Sequence, residues 1–211
     1  MILQDPGLIA EQACEIEIER GGKPIGKQDQ YIAAYGGVMS LEIGRSGVVT
    51  SEKIKLSESE QRELSGNLFL FFSCQTRRAD AILADQNSRT LQNLDKLHQI
   101  KALAEKAQRA LEDRDFEEVG RVIDRGWMLK RDLSEKVSNE ELDRMYSLAM
   151  KAGATGAKIC GAGGGGFLMA YCLPEKQKML REGMQDYRWM PIGIEPDGSK
   201  VIFNYRRSTW K

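Results

Sequence analysis

Five of the six residues between positions 161 and 166 are glycine (GAGGGG), and the cluster is flanked by two apolar, β-prone stretches, 158–160 and 167–172. Gly161, Gly163 and Gly166 satisfy the expression GxGxxG. A dinucleotide loop of that form must lead from a strand into a helix whose N-terminus receives the pyrophosphate. Here the residues that follow, FLMAYC, read as a second strand, and no GxxxxGK[ST] occurs anywhere in the chain. The pattern left is strand, tight glycine turn, strand. A hairpin turn alone asks for one or two glycines at positive φ. Five make a loop without side-chain bulk, which another backbone or a phosphate can approach closely.

The rest of the composition narrows the partners. The 211 residues (23.7 kDa) carry 31 Lys and Arg against 31 Asp and Glu, so no bulk charge draws the chain to nucleic acid or anionic lipid. With 41% apolar and 29% charged residues it is an ordinary globular sequence, long enough for one or two domains with a real core. Cys14, Cys74, Cys160 and Cys172 form no CxxC and share no zinc-ligand spacing with histidine, and they read as reduced, mostly buried thiols. With Glu-, Lys- and Gln-rich helices and no signal peptide, the expected compartment is the cytoplasm. The longest apolar runs, 68–72 and 167–173, are too short to span a bilayer.

Along the chain, residues 10–19 are predicted helical and stopped by Gly21-Gly22, although the Glu-Ile alternation at 15–19 also fits a strand. GGKPIGKQDQYIAAYGG (21–37) is a glycine-framed compact segment, followed by a strand-like VMSLEI. Ser57 opens a capping-box sequence, SESE, for a short helix before a buried strand at 68–72. Positions 78–112 lack Pro and Gly and read as a long helical stretch broken at most once; 116–133 is a second helix. Ser138-Asn139-Glu140-Glu141 reads as a capping box for a third. Pro174 marks the first turn of another helix, and 189–195 with 201–205 read as a closing hairpin around Asp197-Gly198.

Three positions besides the glycines stand out. Asp29, between Gln28 and Gln30, is either a turn former or helix cap or a reactive carboxylate. Lys130 falls inside the apolar arc of the 116–133 helix, with Phe116, Val119, Val122, Ile123, Trp127 and Leu133, while Arg121, Asp124, Arg125 and Asp132 fall on the other face. It either snorkels past the helix edge or points into an anionic pocket. Arg77, just after the 68–72 strand, is placed where strand-end loops hold substrates, or is a plain surface arginine. His98, the single histidine, has no nucleophile at a recognisable spacing and reads as solvated, and the nine methionines read as core filler.

GKPIGKQDQYIAAYGG together with KICGAGGGGFL resembles the GHMP small-molecule kinases, most closely the sugar-kinase branch that contains the D-glycero-D-manno-heptose 7-phosphate kinases. The resemblance runs essentially from end to end, with LFLFFSCQTRRADAIL similar to a strand followed by a TGxxRxA-like stretch and WMLKRDLS preceding the last capped helix. It implies an α+β fold, GHMP kinase-like: residues 1–65 as the remnant of the N-terminal domain and 66–211 as a ferredoxin-like C-terminal domain. Residue by residue it implies Asp29 as catalytic base or orienter of the accepting hydroxyl, with Gly26 and Gln30 beside the substrate and Arg77 and Lys130 for the sugar's phosphate. Gly161, Ala162, Gly163, Gly164, Gly165 and Gly166 fall on the glycine loop beside the nucleotide phosphates. The chain departs from TGxxRxA in having Ser73-Cys74 where Thr-Gly is usual. It also contains no PxxxGLGSSS-type loop, the element that cradles the triphosphate and whose serine helps hold Mg²⁺ in the family, so it looks like the C-terminal portion of such a kinase and is expected to be inactive alone.

The implied activity is transfer of the γ-phosphoryl of ATP, with Mg²⁺, to a sugar hydroxyl, the anomeric one of a heptose phosphate, as in the synthesis of nucleotide-activated heptose. No residue of this chain is assigned to the metal. The resemblance leaves room for a homodimer and implies neither nucleic acid nor membrane as partner. The alternatives are a kinase for another sugar, such as fucose or an N-acetylhexosamine, and a non-catalytic ligand-binding module derived from such a kinase.

Overall fold

The computed structural model describes residues 5–76 and 79–202. Among these residues the backbone falls into two compact units, one formed by 5–53 with 195–202, the other by 54–194.

The first unit begins with α1 (Pro6–Cys14), where Asp5 caps the Gly7 amide at 2.7 Å and Pro6 takes the first turn. The helix continues as a wide π turn over Glu15–Arg20, so the Glu-Ile alternation is helical after all. After α2 (Gln28–Tyr35) come β1 (Met39–Ile43) and β2 (Val49–Lys53), paired antiparallel with Leu41 opposite Ser51. A small core joins Ala10 and Cys14 of α1 to Tyr31 and Ala34 of α2, with Leu41 and Val49 packed against it.

The predicted closing hairpin is not what forms among the described residues. Residues 189–191 join the sheet of the second unit, while Asp197-Gly198 turns against the C-terminus of α2. There the Ser199 amide donates to the Ala33 carbonyl at 3.0 Å and Glu195 accepts from Gly37 at 2.7 Å. The orphan carbonyls of a helix end need donors, and this segment supplies them. Positions 203–205 lie outside the described residues.

The second unit is built as α3 (Glu58–Gly66), β3 (Leu68–Phe72), α4 (Ala79–Ser88), α5 (Leu94–Glu112), α6 (Phe116–Arg131), α7 (Glu140–Lys151), β4 (Gly156–Ile159), β5 (Phe167–Tyr171), α8 (Gln177–Gly183) and β6 (Trp189–Pro191). The predicted Ser57 capping box is present, with Glu60 reaching back to the Ser57 amide at 2.6 Å; that bond, reinforced by Arg114, holds the Glu60 carboxyl down at about 2. Arg114 also donates to the Lys55 carbonyl at 3.0 Å. These ties explain why α3 packs with the second unit, so that packing divides the chain at 53/54 where resemblance places the domain boundary at 65/66. At α7 the cap is Asn139, whose Oδ1 accepts from Glu141 and Leu142 at 3.1 Å, rather than Ser138, which donates to Asp143.

The strand order β4-β5-β3-β6, antiparallel throughout, with helices between β3 and β4 and between β5 and β6, is the βαββαβ arrangement of a ferredoxin-like sheet. Phe69 and Phe71 of β3, Leu168 and Ala170 of β5, and Ala157 and Ile159 of β4 share its buried face with Trp127, Leu142, Met145 and Leu180 of the helices. Each such large apolar side chain contributes roughly 1.5–3 kcal/mol by leaving water. Among the described residues no helix is long and apolar enough to cross a membrane.

Candidate active site

The glycine turn links β4 to β5, and these strands pair antiparallel with Ile159 opposite Leu168; no helix begins at 164–167. Gly161, Gly163, Gly164 and Gly166 all have positive φ (67°, 100°, 73° and 86°). Side-chain bulk is excluded as well: a Cβ on Gly163 would stand 2.5 Å from the Val137 carbonyl oxygen, and one on Gly165 2.8 Å from that of Gln75.

Two flanking segments clamp the turn. The Gly164 amide donates to the Val137 carbonyl at 2.8 Å and the Gly166 amide to Gln75 at 2.9 Å. Gln75 is in turn fixed by the α7 cap, since Asn139 Nδ2 donates to its Oε1 at 3.0 Å. The Val137 segment is anchored through Ser134, buried, which donates to Asp85 of α4 at 2.5 Å. By contrast, the amides of Gly161, Ala162, Gly163 and Gly165 have no protein acceptor among the described residues. Consecutive unengaged N–H groups in a tight turn are the ordinary makings of an anion site. The neighbouring cleft of about 500 Å³ is less suited to anions, because Glu140 and Glu141 line it along with Gln75, Asn139 and Arg144.

Lys130 points to this turn. Its ammonium donates to the Gly161 carbonyl at 2.5 Å. Burial first, then the charge of Lys158, push its pKa down to about 8, with Cys160 acting in the opposite direction. A lysine lowered on folding makes stability rise with pH between about 8 and its ordinary value of 10.5, where the unfolded chain binds the extra proton. An NMR titration of the Lys130 side chain is expected to show its midpoint near 8, and Lys130→Met to remove that rise from denaturant melts; a midpoint above 10 would contradict the burial argument.

The departure from TGxxRxA has a structural meaning. Cys74, at the position where glycine is usual, adopts φ +57° and is exposed rather than buried, unlike Cys14 and Cys172. That conformation costs a non-glycine residue about 1–2 kcal/mol, offset in part by the backbone entropy of glycine. Cys74→Gly is therefore expected to stabilise the chain by about 0.5–1 kcal/mol in denaturant melts. Arg77 lies outside the described residues.

Asp29 belongs to the first unit, in the first turn of α2. It is neither of the structural alternatives, for the N-cap position is Lys27 and no side chain caps the helix there. The carboxylate is exposed, and no hydrogen bond or ion pair engages it among the described residues. Its neighbours are held: Lys27 pairs with Glu11 at 2.9 Å, and Tyr31, whose pKa burial and Glu11 raise, donates to Glu11. Gly26 is exposed beside this segment. Gln30 is buried instead, donating to Glu17 at 3.0 Å, and its Oε1 has no partner among the described residues. His98 is exposed as expected.

Sequence reasoning missed Gln75 and Val137, and read Asn139 only as part of a helix cap. Val137 and Gln75 act on the turn through backbone carbonyls, which any residue provides, so no residue-type signal exists for them.

Residues 100–187 match the family model described as GHMP kinases C terminal. The chain is 34% identical over 201 residues to the D-glycero-alpha-D-manno-heptose 7-phosphate kinase of Campylobacter jejuni, covering 89% of this chain and 58% of that protein. It is 28% identical over 176 residues to the bifunctional fucokinase/GDP-fucose pyrophosphorylase of Arabidopsis thaliana, covering 80% of this chain and 17% of that one. Among solved structures, the D-glycero-D-manno-heptose 1-phosphate kinase from Bacteriodes thetaiotaomicron superposes with a TM-score of 0.68 at 25% identity, over 92% of this chain and 55% of that one. The chain thus spans little more than half the length of these two heptose phosphate kinases.

Proposed function

We propose that this chain, whose residues 100–187 match the family model described as GHMP kinases C terminal, serves an ATP-dependent sugar kinase whose acceptor is the anomeric hydroxyl of a heptose phosphate. The observation that carries the reading is the strand, glycine turn, strand unit with unengaged amides and a lysine ammonium at its opening carbonyl. Similarity to kinases named for heptose phosphates supports the choice of sugar.

Phosphoryl transfer passes through a loose, charge-rich transition state, so positioning and electrostatics dominate. In this reading the turn amides of Gly161, Ala162, Gly163 and Gly165 line the phosphate side. Asp29 accepts the proton of the sugar hydroxyl or aims its lone pair, with Gly26 beside the sugar. Arg77 and Lys130 hold the sugar's phosphate, Lys130 having two N–H groups beyond the one given to Gly161. Mg²⁺ in such sites keeps several waters and is bound through one or two carboxylates together with the nucleotide phosphates. The described residues include no cluster of three His, Cys, Asp or Glu that could hold a metal, so no step is assigned to it.

The test is a panel of sugars and sugar phosphates assayed for ADP release with ATP and Mg²⁺, using this chain within a polypeptide of the relatives' full length. Heptose 7-phosphate is expected to be turned over ahead of the rest. Preference for fucose would move the reading toward the fucokinase, and no turnover with binding retained would make this a ligand-binding module.

A further inference from the structure

Lys130 lies on the sheet-facing arc of α6, and among the described residues no carboxylate pairs with it. The charged and titratable groups acting on it are Lys158 of β4, which repels it, and Cys160 at the end of that strand. Its one protein acceptor among the described residues is the Gly161 carbonyl. In a trans peptide the C=O of one residue and the N–H of the next point in opposite directions. Holding the Gly161 carbonyl therefore also aims the Ala162 N–H away from Lys130. The following peptide is held in the same manner, since Gln86 Nε2 of α4 donates to the Ala162 carbonyl at 3.4 Å, which aims the Gly163 N–H. These are two consecutive amides without a protein acceptor among the described residues, in a stretch where Gly161 and Gly163 have positive φ.

We propose that Lys130 is the positioning residue of the glycine turn: with Gln86 it holds two successive carbonyls, so that the Ala162 and Gly163 amides are left to form a nest for a phosphate group. A phosphate is repelled by carbonyl oxygens and attracted by amides, so the pose of these two peptides decides whether the turn binds an anion at all. The purpose assigned to the nest rests on the kinase reading; the role of Lys130 in the turn does not.

The experiment uses the 211-residue chain, first without ligand. Amide hydrogen exchange at Gly164 and Gly166, which tie the turn to the flanking Val137 and Gln75 carbonyls, reports whether the turn holds. Lys130→Met is expected to speed that exchange about ten- to a hundredfold, the scale of one lost charge-assisted hydrogen bond, while β4 and β5 amides stay protected. Lys130→Arg is expected to restore most of the protection. Unchanged exchange in Lys130→Met, or a uniform rise through β4 and β5, would overturn the proposal. Titration with inorganic tripolyphosphate then supplies the second readout. The Ala162 and Gly163 amide resonances are expected to move in the unaltered chain, and the neutral variant Gln86→Leu to weaken the binding several-fold. If Gln86→Leu binds tripolyphosphate normally and Lys130→Met alone loses it, Lys130 acts as a direct charge and the positioning role is wrong. If tripolyphosphate moves no amide in the unaltered chain, the phosphate-side reading fails, while the exchange data still decide what Lys130 does.

Discussion

Gly156→Val is expected to abolish cooperative folding of the second unit. Gly156 opens β4 where α6 crosses it, and a Cβ there would collide with the Gly120 carbonyl oxygen and stand 2.9 Å from Asp124 Cβ. Gly120 faces the sheet in turn, its own Cβ position lying 2.6 Å from the Tyr171 ring. Two glycines therefore let helix and strand approach to backbone contact, and Trp127, 1% exposed, packs into the core from the same helix. Neither backbone can yield without lifting α6 from the sheet. The cost belongs to the exceptional class of about 4 kcal/mol or more, a large part of a domain's whole stability. Gly126→Ala on the same helix is the control, since its Cβ would meet only Leu103 Cδ1, at 4.0 Å. It is expected to stabilise by about 0.5–1 kcal/mol. Thermal melts followed by circular dichroism distinguish the two, and a cooperative transition within a few degrees of the unaltered chain in Gly156→Val would refute the packing argument.

Under the proposed kinase reading, Asp29→Asn is expected to have the greatest effect on activity. The exchange is nearly isosteric at an exposed side chain with no partner among the described residues. Stability is expected to change only by the loss of a negative charge in a helix's first turn, about 0.3–1 kcal/mol. Turnover, measured in a polypeptide of the relatives' full length, is expected to fall about 10²-fold or more, because the asparagine amide can neither accept the hydroxyl proton nor match the carboxylate's charge. Nucleotide affinity is expected to stay nearly unchanged. Turnover equal to that of the unaltered enzyme would remove Asp29 from the chemistry, and a large loss of stability would return it to a structural role.

The elements most legible in the sequence were those with strong local causes. The 68–72 strand, the capped helix after Ser57, the broken helical stretch up to Glu112 and the strand, turn, strand unit around the glycines all follow from local periodicity, caps and Gly placement. Where a local signal had competitors, the three-dimensional context chose. Asn139 rather than Ser138 caps α7, and it also reaches Gln75, 64 residues away in sequence. The segment after Glu195 satisfies the end of α2 instead of folding back on the described part of itself, because the α2 carbonyls needed donors. Cys74 adopts positive φ, a conformation that favours glycine, which the residue type alone did not reveal.

Local sequence was enough to show which residue types were available for chemistry: a glycine turn with no side chains, an aspartate in a glycine-framed segment, a lysine within an apolar arc. Those are properties of composition and spacing, carried by each short stretch alone. Where their polar groups point depended on the folded chain. It put the Lys130 ammonium on the Gly161 carbonyl, left the Asp29 carboxylate without a partner among the described residues, and engaged the Gly164 and Gly166 amides while leaving those of Ala162 and Gly163 open. The reason is that these arrangements depend on backbone donors and acceptors brought in from distant segments such as Val137 and Gln75, and every residue type presents the same carbonyl.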